Sequence, residues 1–232
     1  VDSNVILFLD FESGSKNKYK TQPTQLACVA LDVRTGDVIP GSEFCSYMKP
    51  LFTPEECKKA GVDEIQQEAL DITNITLEQL QAAPDTRTVW NNFVEYAGRY
   101  NPGKGQWSAP IMGGFNIENF DKEIIRRLAG VKPYNFGPFD KEYQECTLFH
   151  PFKRIDIMRD LIMWMAPKKE VRSVSMDAMR EYFGMSKEKA HDALVDVKQG
   201  AAILSKFLKL YNFFSPKVKF KDCFKGHPEF GA

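Results

Sequence analysis

Apolar positions in the first part of the chain fall in runs and alternations with the period of strands. Val5 to Leu9 form an unbroken apolar run of branched and aromatic residues, the signature of a strand covered on both faces. The stretch PTQLACVALDVRTGDVIPGSEFCSYMKP then alternates about the turn RTGD, which predicts a hairpin of two further strands. From there the spacing becomes helical. TPEE and TLEQ each match a capping box, in which a threonine and a Glu or Gln three residues on satisfy each other's exposed backbone N–H groups, so short helices are expected from Thr53 and Thr76. A longer helix fits TRTVWNNFVEYAGRY. NPGKGQWSAP reads as a loop, IMGGFN as a short strand and IENFDKEIIRRLAG as a helix closing at Gly130. A long irregular insertion, VKPYNFGPFDKEYQECTLFHPFK, precedes RIDIM, a strand feeding RDLIMWM, and SMDAMREYFGM and HDALVDVKQGAAILSKFLKLY are two closing helices. This order predicts one α/β domain: a mixed sheet of about five strands, the first three antiparallel, with helices on both faces.

Acids interrupt the pattern where it should be apolar. Asp10 and Glu12 follow directly on the first strand run, and residues two apart on a strand share a face, so the two carboxylates repel unless a proton or cation lies between them. In the helix IENFDKEIIRRL, the residues Ile117, Phe120, Ile124, Ile125 and Leu128 make an apolar stripe, and Asp121 falls within it. In the last helix Ala193, Val197, Ala201, Leu204 and Leu208 make a line that Ile203 and Phe207 widen, with Asp196 at the widened edge. Gly200, one turn on, removes a side chain, as the close approach of another group there would require. One such acid reads as a salt-bridge partner or an edge residue. Four tending inward favour a shared cation, because an unpaired carboxylate in a core costs several kcal/mol. His191, five residues before Asp196, belongs at the entrance of that helix rather than on its face, where it reads either as a surface cap or as a group at the edge of the site.

Bulk properties narrow the setting. The 232 residues and 43% hydrophobic content suffice for one substantial core. The 31 basic residues cancel the 31 acidic ones, so no global basic field attracts a polyanion, and any such partner must be met locally. Five cysteines without tight pairing fit a reducing compartment, no run is long enough to span a membrane, and the first strand starts too early to leave room for a signal peptide; a cytoplasmic protein is expected. Cys146 with His150 and Cys223 with His227 form two C-x3-H pairs, but they lack C-x2-C hooks and argue poorly for zinc.

Taken together, these residues resemble the DEDDh group of 3′-to-5′ exonucleases, an RNase H-like family that includes polymerase proofreading subunits and RNA-trimming enzymes. LDFESG resembles the first motif, D-x-E; GFNIENFDKEI the second, N-x-x-x-F-D; and HDALVD the third, H-x-A-x-x-D. Each is weak alone, but their joint order on strand, helix and helix is specific. The resemblance runs from about Val5 to Tyr211, which divides the chain into an exonuclease domain, 1–212, and a tail, 213–232. Thr73 and Asn74 stand where many members carry His-Gly or Thr-Gly, and the insertions at Gly103 to Ala109 and Tyr134 to Phe152 have no counterpart.

The resemblance implies two Mg²⁺ or Mn²⁺ ions: Asp10, Glu12 and Asp196 would hold one, Asp10 with phosphate oxygens the second, roughly 4 Å away, and Asp121 would act through bound water. One ion and His191 would prepare a water to attack the terminal phosphodiester, releasing a nucleoside 5′-monophosphate. Phe11, Ser13, Gly14, Ile75 and Phe115 are the implied contacts to the terminal nucleotide. The expected partner is single-stranded nucleic acid with a free 3′ end, DNA before RNA, handled by a stand-alone enzyme or one docked on a polymerase or other replication or repair protein. A fold that has lost catalysis and only binds is the remaining alternative. The tail interleaves Lys217, Lys219, Lys221 and Lys225 with Phe220, Phe224 and Phe230, a pattern open to stacking on bases or to packing on the domain.

Overall fold

The computed structural model describes residues 3–130, 148–188 and 190–217. Five strands form one mixed sheet in the order β3-β2-β1-β4-β5. Central β1 (Val5–Ser13) pairs antiparallel with β2 (Pro23–Asp32), which pairs antiparallel with β3 (Phe44–Tyr47). On its other side β1 runs parallel to β4 (Ile111–Gly114), and β4 parallel to β5 (Arg154–Asp156). Helices α1 (Pro54–Ala60), α2 (Gln67–Thr73), α3 (Leu77–Ala82) and α4 (Thr86–Gly98) follow β3; α5 (Asp121–Leu128) follows β4; α6 (Ile157–Met165), α7 (Met176–Tyr182) and α8 (Ala193–Phe214) follow β5. The expected α/β sheet with three leading antiparallel strands and helices on both faces is therefore present.

The apolar run of β1 explains its central place, because both of its faces are covered. Leu7, Leu9 and Phe11 join Trp90, Phe93, Ile124 and Leu128 in one core, whereas Ile6 and Phe8 join Ile157, Val197, Ala201 and Leu204 in the other. Each fully buried Leu, Ile or Phe contributes about 1.5–3 kcal/mol by leaving water, and together they clamp β1 between two helical layers.

Local signals act much as their chemistry dictates. Thr53 and Glu56 exchange capping bonds of 3.3 and 2.9 Å at α1, and Thr76 with Gln79 does the same at 3.1 and 2.7 Å at α3. The RTGD turn closes through a 2.8 Å bond from the Gly36 N–H to the Asp32 carbonyl, with Gly36 at φ 72°, after which the returning chain bridges Leu31 at Val38, leaves β2 and pairs with it as a strand again from Phe44.

Four elements differ from the pattern. Helix α2 adds to the expected elements, its seven residues being too few to display a stripe. Strand β5 stops at Asp156 because that side chain accepts the Met158 N–H and starts α6 where strand had been expected to continue. Helix α5 begins at Asp121 rather than Ile117: Asn116 takes a left-handed conformation, φ 60°, with its N–H given to Asp156 Oδ1 at 2.9 Å, so residues 117–120 form a turn. Helix α8 runs through residue 212 to Phe214. Most of the second insertion, and the tail from 218, lie outside the described residues. Among the described residues no helix is long and apolar enough to cross a membrane.

Gly200 lets α8 rest directly on β1. A Cβ there would lie 2.6 Å from the buried Phe8 ring. Gly200→Ala gains about 1 kcal/mol of helix propensity but overpacks a fixed ring at about 1–3 kcal/mol, so chemical denaturation should show net destabilisation, and adding Phe8→Leu should recover part of it.

Candidate active site

The two acids at the end of β1 inherit the strand's alternation. Ile6 and Phe8 face α6 and α8, so Asp10 and Glu12 lie on that same side at the carboxyl end of the strand, where open α/β sheets place their ligands. Asp196 stands in the first turn of α8, which the contact of Gly200 with Phe8 holds against β1. One carboxylate oxygen from each of Asp10, Glu12 and Asp196 lies within 4.8 Å of the others. A set of hard oxygen donors without sulfur or imidazole suits Mg²⁺ or Mn²⁺, and these residues fit such an ion.

Asp121 comes from the opposite layer. It is the first residue of α5, buried, and its Oδ1 accepts the Phe11 N–H at 2.9 Å, the amide that lies between Asp10 and Glu12. This bond ties the second motif to the first across the sheet edge.

Electrostatics mark the cluster as strained when no cation is bound. Burial holds the Asp10 carboxyl well above the usual carboxylate range, and the charges of Asp121, Glu12 and Asp196 add to it. Burial, then Asp196 and Asp121, push Glu12 up to about 8. Asp121 rises to about 7, mainly through burial and against the stabilising N–H bonds from Phe11 and its own backbone. Asp196 is raised by burial but opposed by the positive charge of Arg180 and by His191. Like charges gathered out of water resolve themselves by keeping protons or by taking a cation.

Arg180 is the residue that sequence reasoning missed. Fully buried on α7, it donates from Nη2 to Asp196 Oδ1, from Nη1 to Asp177 Oδ1 at 2.6 Å and from Nε to Gln199 Oε1 at 2.6 Å. A signal was available: with Met176, Met179 and Phe183 it occupies i+4 of a helical stripe, the same misplacement in an apolar line that drew attention to Asp121, with the opposite sign. His191 precedes α8, half-buried, at φ 66°, and Asp192 caps the helix by accepting the Leu194 and Val195 N–H groups at 3.0 and 3.2 Å.

The five expected substrate contacts are dispersed. Ser13 walls a cavity of about 210 Å³ beside Glu12, together with Ser15, Gln66, Ile72, Thr73 and Phe120. Phe11 is in the core, Gly14 is buried with no room for a Cβ beside Ile65, and Phe115 packs half-buried against the α8 core. Ile75 packs with Leu70 and Leu80 and lines a separate cavity. Asn74 caps α2 in the left-handed conformation, φ 55°, that a glycine adopts without strain. His150 Nδ1 accepts the Phe152 and Lys153 N–H groups at 3.2 and 3.1 Å, while Cys146, Cys223 and His227 lie outside the described residues.

Comparison with known proteins agrees with this arrangement. The family model for the RNase T exonuclease matches residues 7–204. No curated protein sequence matches the chain. Among solved structures, E. coli Exonuclease I in complex with a dT13 oligonucleotide superposes with a TM-score of 0.62 at 21% identity, covering 92% of this chain and 42% of that one. A zinc-bound complex of the same E. coli enzyme with single-stranded DNA gives 0.63 at 21%, covering 90% and 43%. Cell-death related nuclease 4 gives 0.63 at 19%, covering 90% and 64%. The chain thus spans less than half the length of Exonuclease I. With the matched model spanning most of its length and all three motifs, the chain belongs to the RNase T exonuclease family, the DEDDh group of the RNase H-like superfamily.

Proposed function

We propose that this chain is a divalent-metal-dependent 3′-to-5′ exonuclease that releases nucleoside 5′-monophosphates from the 3′ end of single-stranded DNA. The observation that carries the reading is the meeting of Asp10, Glu12 and Asp196 oxygens within 4.8 Å. Support for the substrate comes from E. coli Exonuclease I, whose structures hold dT13 and dA16 oligonucleotides.

Asp10, Glu12 and Asp196 would hold the metal, with Asp121 assisting through water. Bound divalent ions supply Lewis-acid polarisation of the phosphoryl group and lower the pKa of a coordinated water. His191, near enough for its charge to act on the Asp196 carboxylate, takes the proton of the attacking water as general base. The cavity beside Glu12 receives the terminal nucleotide, and the Ser13 hydroxyl, donated to the Ser15 carbonyl at 3.0 Å, shapes its wall. Positive charge arrives with the ions, so a neutral protein meets a polyanion at the one place where cleavage occurs.

The direct test is Mn²⁺-dependent release of mononucleotides from 5′-labelled DNA and RNA of one sequence, with a circular single strand as control. DNA should be degraded stepwise from its 3′ end and faster than RNA, and the circle should survive. Asp10→Asn and Asp196→Ala should abolish turnover together with Mn²⁺ binding; retention of either property would remove the ligand assignment.

His191 separates base from ligand. His191→Ala should lower turnover by about 10²–10⁴-fold with Mn²⁺ affinity kept. His191→Gly should be equally inactive yet more stable than His191→Ala by about 1–2 kcal/mol, because glycine relieves the left-handed backbone.

The raised carboxyls also give the metal-free protein a defined pH dependence. Glu12 keeps its proton in the folded state up to about 8 but loses it near 4.5 when unfolded, so the folded state binds more protons throughout that window. Metal-free stability should therefore fall as pH rises from 4.5 to 8, and Asp10 and Asp121 act in the same direction. Mn²⁺ should stabilise more at pH 8 than at pH 6, with protons released on binding, as thermal melts and calorimetry in buffers of different ionisation enthalpy would record.

A further inference from the structure

Arg180 is not needed to explain the fold of α7, and an arginine with no exposed surface is expensive unless each of its donors has an acceptor. Each of the three guanidinium nitrogens donates a bond, and the three acceptors are unequal. Asp177, on its own helix, is largely exposed, so that arm is a surface contact. The other two arms reach α8: Nη2 meets Asp196 Oδ1, and Nε meets Gln199 Oε1, one turn further along, whose own Nε2 donates to the Ser186 carbonyl at 2.8 Å. The planar fork is thus fixed by a partner that has no role in holding metal, and the fork in turn fixes the plane of a carboxylate that meets Asp10 and Glu12.

We propose that Arg180 is a positioning residue: it orients the Asp196 carboxylate for the ion by occupying Oδ1, and leaves Oδ2 free of guanidinium. This rests on the exonuclease reading of the cluster. Lysine cannot replace it, because a single ammonium keeps the charge but cannot span Asp196 and Gln199 in one plane. Two other roles make different demands. A purely structural clip between α7 and α8 would affect folding but leave the folded site unchanged. A charge that merely competes with the ion would loosen metal binding in the wild type, and its removal would tighten it.

The experiment is a Mn²⁺ titration followed by electron paramagnetic resonance at low temperature, with far-ultraviolet circular dichroism to establish that each variant is folded, on wild type, Arg180→Lys, Arg180→Gln and Gln199→Met. Positioning predicts that Arg180→Lys weakens Mn²⁺ binding about 10–100-fold in the folded protein despite its conserved charge, the range found when a partner that orients a metal ligand is lost. Gln199→Met, which leaves Arg180 in place but frees its Nε and removes the bond to the Ser186 carbonyl, should weaken binding less but in the same sense, and serves if the arginine variants do not fold. Unchanged affinity in folded Arg180→Lys or in Gln199→Met would overturn the inference, as would tighter binding in Arg180→Gln. Absence of Mn²⁺ binding to the wild type would instead remove the exonuclease reading on which it rests.

Discussion

Mutual repulsion among carboxylates held out of water is the constraint on which this structure turns. Asp10, Glu12 and Asp196 do not drift apart because each is carried by an element that burial fixes independently: β1 by two cores, α8 by a close approach of Gly200 to Phe8. The hydrophobic effect supplies the confinement, and the confinement makes the acids avid for a cation. Stability is given up locally, and a charge of the opposite sign entering the cluster would restore it, a common relation between a fold and the site it supports.

Topology decides which acids meet. Because β1 is parallel to β4 and antiparallel to β2, its carboxyl end opens where α5 and α8 both begin. Helix starts present unpaired N–H groups and positive dipole ends, and here one such start carries Asp121 and the other Asp196. Contributions from strand, near layer and far layer therefore converge without any long loop having to be ordered.

Much of this was legible from residue spacing. A period of two places Asp10 and Glu12 on one side whatever else the fold does, and an acid in an apolar line at Asp196 needs no coordinates to be noticed. Asp121 was visible as an anomaly, though its geometry was not: a continuous stripe from Ile117 to Leu128 conceals the turn that Asn116 and Asp156 impose, since that turn depends on a bond between residues 40 apart in sequence. Arg180 escaped attention because arginines are ordinarily read as exposed, and only tertiary packing reveals that Gln199 and Asp196 receive it. The expected nucleotide contacts are the least legible, because Phe11, Gly14 and Ile75 are apolar or small and look the same in a core as in a binding wall.

The bond from the Phe11 amide to Asp121 gives the site a further property. It fastens the peptide unit separating two of the acids to the helix layer on the far side of the sheet, while α8 grips the near side. The distance from that strand pair to Asp196 is consequently set by both layers at once, whereas Asp10 and Glu12 keep the spacing that an extended backbone gives them. A loosening of either core would be transmitted to that distance while most of the secondary structure was still intact, so the closeness of the three acids acts as a sensitive gauge of how well the entire domain is packed.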